Sequence, residues 1–345
     1  MRSKDTSAIN FLKRDAEFAD IVNLALFHGE HVINPECLRE LDSTEVMNIP
    51  LKNQSQKSES VQRYRDVLKS VTLKDRETYG IRLIIGMEEQ SEIHYAMPVR
   101  NMLYDALNYT RQINRLERSH KENKTYANSK EFLSRITKDD RLIPVITIVV
   151  FLNNTHWDGP KSLHEMLHIK SLPKDLIKRI PDYKLIIVSP NLLEKQDLEK
   201  MTSTAGYVLG AIKHSYSGEK LKSFIEQNKK IMKNLPSYAA AVINEFCSMK
   251  IKEDELKKEV VDMCQAVIDL KTEGLEEGRA EGHAEGRKEI IRNAFRKGYT
   301  PEQIAEFTGA ELEEVLKVQE KMLQEISSGG CSHKIQSGGE EIEHI

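Results

Sequence analysis

Hydrophobic and polar residues follow a strand pattern between residues 66 and 89. The run VLKSVTL alternates, the run IRLIIGM is continuously apolar, and a polar turn containing Tyr79-Gly80 separates the two. Alternation and apolar blocks of this length are typical of strands packed on a core. The pattern therefore predicts two paired antiparallel strands over 66–73 and 81–89.

Apolar periodicity in the rest of the chain predicts helices around these strands. Residues 7–27 and the segment after Pro98 repeat apolar positions at helical spacing, whereas 142–152 is a continuous β-branched run. A short helix over 161–170, a strand over 182–190 and helices over 192–270 follow. This order predicts an α/β fold, with a mixed sheet flanked by helices and a helical C-terminal extension.

The C-terminal part of the chain changes character at Glu273, where Glu-Gly recurs every four residues up to Gly286. This spacing keeps the glycines on one drifting helix face, and two interpretations are open. Either the face pairs with another helix, as in a homodimer formed through C-terminal helices, or the segment is a solvated linker helix. Residues 294–319 predict two short helices joined at Thr308-Gly309, but acidic residues at the start of the second disfavour DNA-groove reading.

Composition and charge narrow the class of protein. The chain has 345 residues, 39% of them hydrophobic, and a net charge of −3, so any nucleic-acid contact depends on local basic patches such as Arg111 to Lys124. No apolar run approaches the roughly 18 residues that span a bilayer, and the N-terminus lacks a signal-type apolar segment. We therefore expect a cytoplasmic protein without membrane contact. Four widely spaced cysteines argue against a zinc knuckle or a disulfide framework.

Acidic residues at the strand ends suggest a metal site. Alternation places Glu88 and Gln90 on one face, and antiparallel pairing brings Asp66 beside them. Carboxylate and carbonyl oxygens are suitable ligands for Mg²⁺. Asp66, Glu88 and the backbone carbonyl of Glu89 are therefore the predicted ligands, and Gln90 is predicted to orient water or polarise a phosphate.

Several runs resemble one family. RYRDVLKSV, IGMEEQSEIHYAMPVRNMLYDALNY and VITIVVFLNNTHWDGPKSLHEML resemble the recombination-promoting nuclease/putative transposase (Rpn) family of the PD-(D/E)XK nuclease superfamily. The resemblance covers most of residues 8–310 and is most specific at HYAMPVRNMLYDALNY. It implies an αβββαβ restriction-endonuclease-like core and Mg²⁺-dependent endonuclease activity on double-stranded DNA, linked to recombination or transposition.

Site residues follow from the resemblance position by position. Asp66 takes the first acidic position, Glu88 the second, and Gln90 stands where many members of the superfamily have lysine. Asp20 is the candidate for a supporting acid on the first core helix. Apart from the resemblance, the residues next to these positions are candidates for contact with DNA phosphates, and each could equally pair with a nearby acid; they are Arg63, Arg65, Tyr95 and Arg100.

The same resemblance suggests a domain division. We expect a nuclease-like domain over 1–235, a helical extension with the Glu-Gly repeats over 236–292, a small helix-turn-helix-like segment over 293–325 and a disordered tail over 326–345.

Two alternative functions remain open. One is a catalytically weak DNA- or protein-binding module with the same fold. The other is a zinc peptidase, because His164-Glu165-x-x-His168 matches the HExxH pattern, in which two histidines one helical turn apart bind zinc. The short helix expected around this motif disfavours the peptidase.

Overall fold

A computed structural model describes residues 3–49, 59–73 and 80–329 of the chain. The chain divides into two compact units, Met1–Val267 and Ile268–Ile345. The strands are β1 (Leu38–Glu40), β2 (Thr44–Ile49), β3 (Glu59–Tyr64), β4 (Val67–Leu73), β5 (Ile81–Gln90), β6 (Val145–Phe151), β7 (Ile186–Val188), β8 (Leu235–Pro236) and β9 (Val260–Val261).

The helices, in chain order, alternate with these strands and then dominate the C-terminal part. They are α1 (Ser3–Leu12), α2 (Asp15–Phe27), α3 (Met97–Asn123), α4 (Ser129–Ser134), α5 (Leu163–Met166), α6 (Lys174–Ile177), α7 (Lys195–Lys200), α8 (Ala205–His214), α9 (Gly218–Gln227), α10 (Lys229–Met232), α11 (Ser237–Phe246), α12 (Glu253–Leu256), α13 (Met263–Arg296), α14 (Pro301–Thr308) and α15 (Leu312–Gly329). Short 3₁₀ turns occur at Pro35–Cys37 and Pro190–Leu192.

A five-stranded mixed sheet forms the centre of the first unit, with strand order β1-β4-β5-β6-β7. The pairs β1·β4 and β4·β5 are antiparallel, whereas β5·β6 and β6·β7 are parallel. The predicted pairing of the two strands around Gly80 is confirmed, with Val67 opposite Met87 and Leu73 opposite Ile81. The mixed α/β class is therefore confirmed. A separate hairpin, β2·β3, comes between β1 and β4 in the chain.

The helix predicted after Pro98 is α3, and it packs on β6. Its inner face includes polar as well as apolar side chains, since Asn101, Tyr104, Asp105 and Asn108 are all buried. Buried polar groups are usually held by hydrogen bonds. This face of α3 therefore supplies polar groups beneath the sheet end where the candidate site lies.

The single helix predicted over 7–27 is two helices, α1 and α2, separated at Lys13-Arg14. The buried ammonium of Lys69 accounts for the break, because it donates hydrogen bonds to the Lys13 carbonyl and to the Asp15 carboxylate. A lysine removed from water needs such partners. Helical periodicity alone carries no sign of this contact, since Lys69 lies more than fifty residues away.

The first unit ends later than the predicted boundary at residue 235. Helix α11 packs on α1 and α8, and its side chains Ala239, Ala240, Val242 and Ile243 are fully buried. Residues 236–267 therefore belong to the same compact unit as the sheet. Within the described ranges, no helix combines the length and the apolarity needed to cross a bilayer.

The second unit contains α13 from Ile268 onward, together with all of α14 and α15. Ile291, Ile304, Val315 and Val318 form its core together with Ala294 and Ala310. The predicted helix pair joined at Thr308-Gly309 is confirmed: Thr300 caps α14, and Gly309 ends it with a left-handed backbone (φ 66°). Residues 330–345, most of the predicted disordered tail, lie outside the described residues.

Candidate active site

The end of the β4·β5 hairpin brings Asp66 and Glu88 together. Val67 pairs with Met87, so the next position in each direction places Asp66 opposite Glu88. The Asp66 carboxylate accepts a hydrogen bond from the backbone N–H of Glu89 at 2.8 Å. The two acids named from the sequence therefore lie side by side at this end of the sheet. Their metal-binding role stays a prediction.

Glu88 is fully buried between two arginines. Its carboxylate lies 3.2 Å from Nη2 of Arg100 and 4.0 Å from Nε of Arg65. Within the described residues, neither carboxylate oxygen accepts a hydrogen bond of good geometry. A buried carboxylate whose oxygens lack hydrogen bonds is costly, and it requires a cation or a proton.

The environment of Glu88 raises its pKa from 4.5 to about 8. Burial is the largest cause, and the negative charge of Asp66 adds to it, whereas Arg100 and Arg65 act in the opposite direction. The backbone N–H of Asp66 also lowers the pKa, although its contact falls short of full hydrogen-bond geometry. Without a further cation, Glu88 therefore holds a proton over much of the neutral pH range.

Arg65 lies beneath Glu88 and is only 1% exposed. Its Nη2 donates to Asp105 at 3.1 Å, and its guanidinium carbon lies 5.3 Å from the centre of the Tyr104 ring. Gly86 leaves the room for this side chain, because a Cβ there would lie 2.3 Å from Nη1 of Arg65. The prediction that Arg65 contacts DNA is therefore wrong: its guanidinium is enclosed by protein and paired with two carboxylates.

Asp105 is the polar residue of this site that the sequence interpretation missed. Besides Arg65, its carboxylate accepts hydrogen bonds from Thr147 Oγ1 at 2.7 Å and from the hydroxyl of Tyr183. Burial and the charge of Asp105 raise the pKa of Tyr183, so this hydroxyl stays protonated and donates. The sequence did carry one sign of this role, because Asp105 falls among the apolar positions of the long helix predicted after Pro98, on the side that faces the sheet. Asp105 anchors Arg65, and Arg65 in turn faces Glu88.

Gln90 and the Glu89 carbonyl are in direct contact. The side-chain amide of Gln90 donates to the backbone oxygen of Glu89, the oxygen that was predicted to bind a metal. A carbonyl oxygen has two lone pairs and can accept from more than one partner. Gln90 thus lies beside the predicted ligands, half-buried at the end of β5.

Asp20 has a different set of partners. Its carboxylate accepts hydrogen bonds from the backbone N–H groups of Thr202 and Ser203, at 2.8 and 2.6 Å, and from Thr202 Oγ1 at 3.3 Å. These donors immediately precede α8. They account for the burial of Asp20 as a structural acid, and its supporting catalytic role stays a prediction.

The other candidates for DNA contact differ in exposure. Tyr95 is 62% exposed, and its hydroxyl lies 3.4 Å from Asp158. Arg100 is half-buried: its Nε donates to the Tyr104 hydroxyl at 3.1 Å while Nη2 faces Glu88. The side chain of Arg63 lies outside the described residues, although its backbone belongs to β3. Among the candidates whose side chains are described, Tyr95 and Arg100 have exposed surface, and their contact with DNA stays a prediction.

The HExxH segment lacks the geometry of a zinc-binding helix. Helix α5 is a single turn that ends at Met166, so His168 lies beyond it. The Glu165 carboxylate accepts from the Lys161 backbone N–H at 2.7 Å, and His164 Nε2 lies 2.9 Å from the Ile180 carbonyl. Both side chains therefore stabilise the local turn instead of facing a common ion.

The donors at the sheet end fit Mg²⁺ in chemical type. Glu88 presents two buried oxygens without good hydrogen bonds, Asp66 presents a second carboxylate, and the backbone of Glu89 adds a carbonyl oxygen that accepts from Gln90. Mg²⁺ is commonly held by one or two carboxylates and completes its coordination with water and substrate phosphates. Across the described ranges, no cluster of three or more His, Cys, Asp or Glu side chains could hold a metal.

Comparisons with protein-family models, with curated proteins and with solved structures found no significant match to this chain.

Proposed function

We propose that the protein is a Mg²⁺-dependent DNA endonuclease of the Rpn type, linked to recombination or transposition. The observation that carries the proposal is the pair Asp66 and Glu88: Asp66 immediately precedes β4, Glu88 lies on the neighbouring strand β5, and Glu88 is fully buried beneath Arg100. A divalent cation held by such a pair would stabilise the negative charge that develops on the phosphate during phosphodiester hydrolysis.

The order of elements supports a restriction-endonuclease-like core. Helix α2, strands β1, β4 and β5, helix α3 and strand β6 follow one another as αβββαβ, and the hairpin β2·β3 is an insertion. The three antiparallel strands precede a parallel fourth strand, with α3 as the crossover. The resemblance of the sequence to the Rpn family implies the same order.

Residues of the site have separable roles under this proposal. Asp66, Glu88 and the Glu89 carbonyl hold the ion, which when bound neutralises charge on the phosphate and helps to generate hydroxide. Arg100 exchanges its contact with Glu88 for a phosphate oxygen, because its guanidinium is the half-exposed one of the pair. Arg65 stays buried and fixes the position of the Glu88 carboxylate. Gln90 donates hydrogen bonds as a neutral amide where a lysine would add positive charge.

The proposed substrate is double-stranded DNA, which approaches along Tyr95 and Arg100.

Self-association through the C-terminal helices is part of the same proposal. In α13, a Cβ added at Gly274, Gly278 or Gly282 would meet no atom of the described residues within 4 Å, which leaves room for a second helix to approach this face.

A plasmid-nicking assay tests the proposal. Purified full-length protein is incubated with supercoiled plasmid and Mg²⁺, and wild type is compared with Asp66→Asn, Glu88→Gln and the control Glu165→Gln. We expect the first two variants to lose at least about 100-fold in rate, equivalent to roughly 3 kcal/mol of activation free energy. The control should nick like wild type. Equal rates in all four proteins would refute the assignment of the site.

A binding module of the same fold is the second candidate function. One observation favours it: the Gln90 amide donates to the Glu89 carbonyl, and the Arg100 guanidinium lies 3.2 Å from the Glu88 carboxylate, so a metal ion would have to compete with both side chains. Wild-type protein that binds plasmid in a gel-shift assay but fails to nick it with Mg²⁺ would favour this candidate over the endonuclease.

A further inference from the structure

The C-terminal end of α3 and the following helix α4 expose a group of aromatic rings. The Phe132 side chain is 65% exposed and meets Tyr126 edge to face, with ring centroids 5.8 Å apart. The Tyr126 ring in turn lies 5.6 Å from that of His120, and its hydroxyl donates to the Arg135 carbonyl at 3.3 Å. Phe132 is therefore held by a supported ring and still presents most of its surface to solvent.

Positive side chains surround these rings. Arg118, Lys121 and Lys124 are exposed, and no carboxylate of the described residues forms an ion pair with any of them. Residues 111–135 contain seven Lys and Arg against three Glu, in a chain whose net charge is −3. Cations at a helix C-terminus stabilise its dipole, which explains Lys121. It does not explain an exposed phenyl ring beside them.

Two open depressions adjoin along the aromatic rings. One has a volume of about 400 Å³ and is lined by His120, Lys124 and Asn128. The other, of about 480 Å³, is lined by Arg118, Leu133 and Arg135 and by one acid, Glu117, which lies 3.8 Å from Arg135. Lys121, Tyr126 and Phe132 line both. Volumes of this size lie in the range of small-ligand sites.

We propose that this aromatic–basic surface, formed by Arg118, Lys121, Lys124, Tyr126, Phe132 and Arg135, binds single-stranded nucleic acid. Unpaired bases stack on Phe132 and Tyr126, and the backbone phosphates pair with the three cations that have no carboxylate partner among the described residues. Combinations of stacking rings and a basic groove are the general means of binding single strands. An acidic peptide would use the cations but would leave the exposed ring without a matched partner.

This surface is separate from the candidate active site. Arg100 and Lys121 lie on the same helix, and 21 residues at 1.5 Å each place them about 30 Å apart. The proposal therefore assigns a second nucleic-acid site to the first unit. It does not depend on whether Asp66 and Glu88 hydrolyse DNA.

Fluorescence anisotropy with a labelled oligothymidylate of roughly 15 nucleotides tests the proposal. The full chain is used with EDTA, which prevents metal-dependent cleavage. We expect Phe132→Ala to weaken binding by about tenfold or more, because stacking on an aromatic side chain is worth that much per base. The double variant Lys121→Gln/Lys124→Gln should reduce the slope of log K against log salt by about 1.4. Tyr216→Ala and Lys220→Gln, an exposed tyrosine and an exposed lysine elsewhere in the unit, serve as controls and should bind like wild type.

Either of two results with the oligothymidylate, or a third with an acidic peptide, would overturn the proposal. The first two are no binding by the wild-type protein, and equally tight binding by the Phe132→Ala and Tyr216→Ala variants. The third is tighter binding to a labelled oligoglutamate of matched charge than to the oligothymidylate, which would indicate an acidic protein partner. Phe132 and Tyr216 are both largely exposed, so the Phe132→Ala and Tyr216→Ala variants should fold. A melting temperature equal to that of wild type checks this.

Discussion

Replacing Glu88 with glutamine is expected to change how the stability of the protein depends on pH. The folded state raises the pKa of Glu88 from 4.5 to about 8, so between these values the folded protein binds a proton that the unfolded chain has released. Stability therefore falls as pH rises through this window. One extra bound proton changes the free energy of unfolding by about 1.4 kcal/mol per pH unit. The titration of Glu88 alone should therefore lower the free energy of unfolding by about 3 kcal/mol between pH 5 and pH 8.

Glutamine does not titrate, so Glu88→Gln should lack this loss. Its free energy of unfolding relative to wild type should rise by about 3 kcal/mol between pH 5 and pH 8. The absolute value at any one pH is less informative, because the substitution also removes a negative charge facing Arg65 and Arg100. The pH slope isolates the titration of Glu88.

Urea denaturation in EDTA, followed by tryptophan fluorescence, measures this slope. The chain has one tryptophan, and Trp157 is buried against Phe151 in the first unit, so its emission reports unfolding of that unit. Glu199→Gln is the matched control, because Glu199 is exposed and should behave like wild type. Parallel pH profiles for wild type and Glu88→Gln would refute the raised pKa and its two causes, the burial of Glu88 and the neighbouring charge of Asp66.

Three further substitutions test other parts of the structure. Gly86→Ala places a Cβ 2.3 Å from the Arg65 guanidinium, and displacing that buried ion pair should cost about 3 kcal/mol or more in urea denaturation. An unchanged midpoint would contradict the packing. Asp20→Ala should cost about 2 kcal/mol by removing the hydrogen bonds that precede α8, while the nicking rate of the folded protein is retained. Loss of nicking without loss of stability would instead support the catalytic role predicted for Asp20. Ile304→Ala should cost about 2–5 kcal/mol and increase hydrogen exchange in α14 and α15 but not in β4 and β5; equal increases in both regions would contradict two separate cores.

The strand pair and the long helix could be predicted from local pattern. Alternation in β4, the apolar block of β5 and Pro98 at the start of α3 each reflect a single element and its burial, so sequence spacing was sufficient. The meeting of Asp66 and Glu88 followed because antiparallel pairing fixes which residues lie opposite each other.

The surroundings of those acids could not be predicted in the same way. Arg65 was expected at the surface as a charged residue, yet two carboxylates and the missing side chain of Gly86 hold it inside. A glycine within a strand indicates a close approach, but not which residue approaches. Asp105 joins α3 to β6 and to Tyr183, and such contacts between distant segments leave no local pattern.

The predicted domain boundary at residue 235 was misplaced for the same reason, since local sequence pattern does not reveal contacts between distant segments. Residues 236–267 were predicted to be mainly helical, which is correct, but periodicity does not say which neighbour a helix packs against. The apolar side chains of α11 are buried on α1, far away in the sequence. This contact assigns the segment to the first unit.

Direct titration of the protein with Mn²⁺ or Mg²⁺ by calorimetry, without DNA, tests the central claim that Asp66 and Glu88 form a divalent-cation site. We expect one ion to be bound by wild type and by Asp20→Ala, and none by Asp66→Asn or Glu88→Gln. Affinity should rise about 20-fold from pH 6.5 to pH 8.5, because Glu88, with a pKa of about 8, must lose its proton to bind. Equal binding by wild type and both site variants, or no binding by wild type at pH 8.5, would contradict the claim.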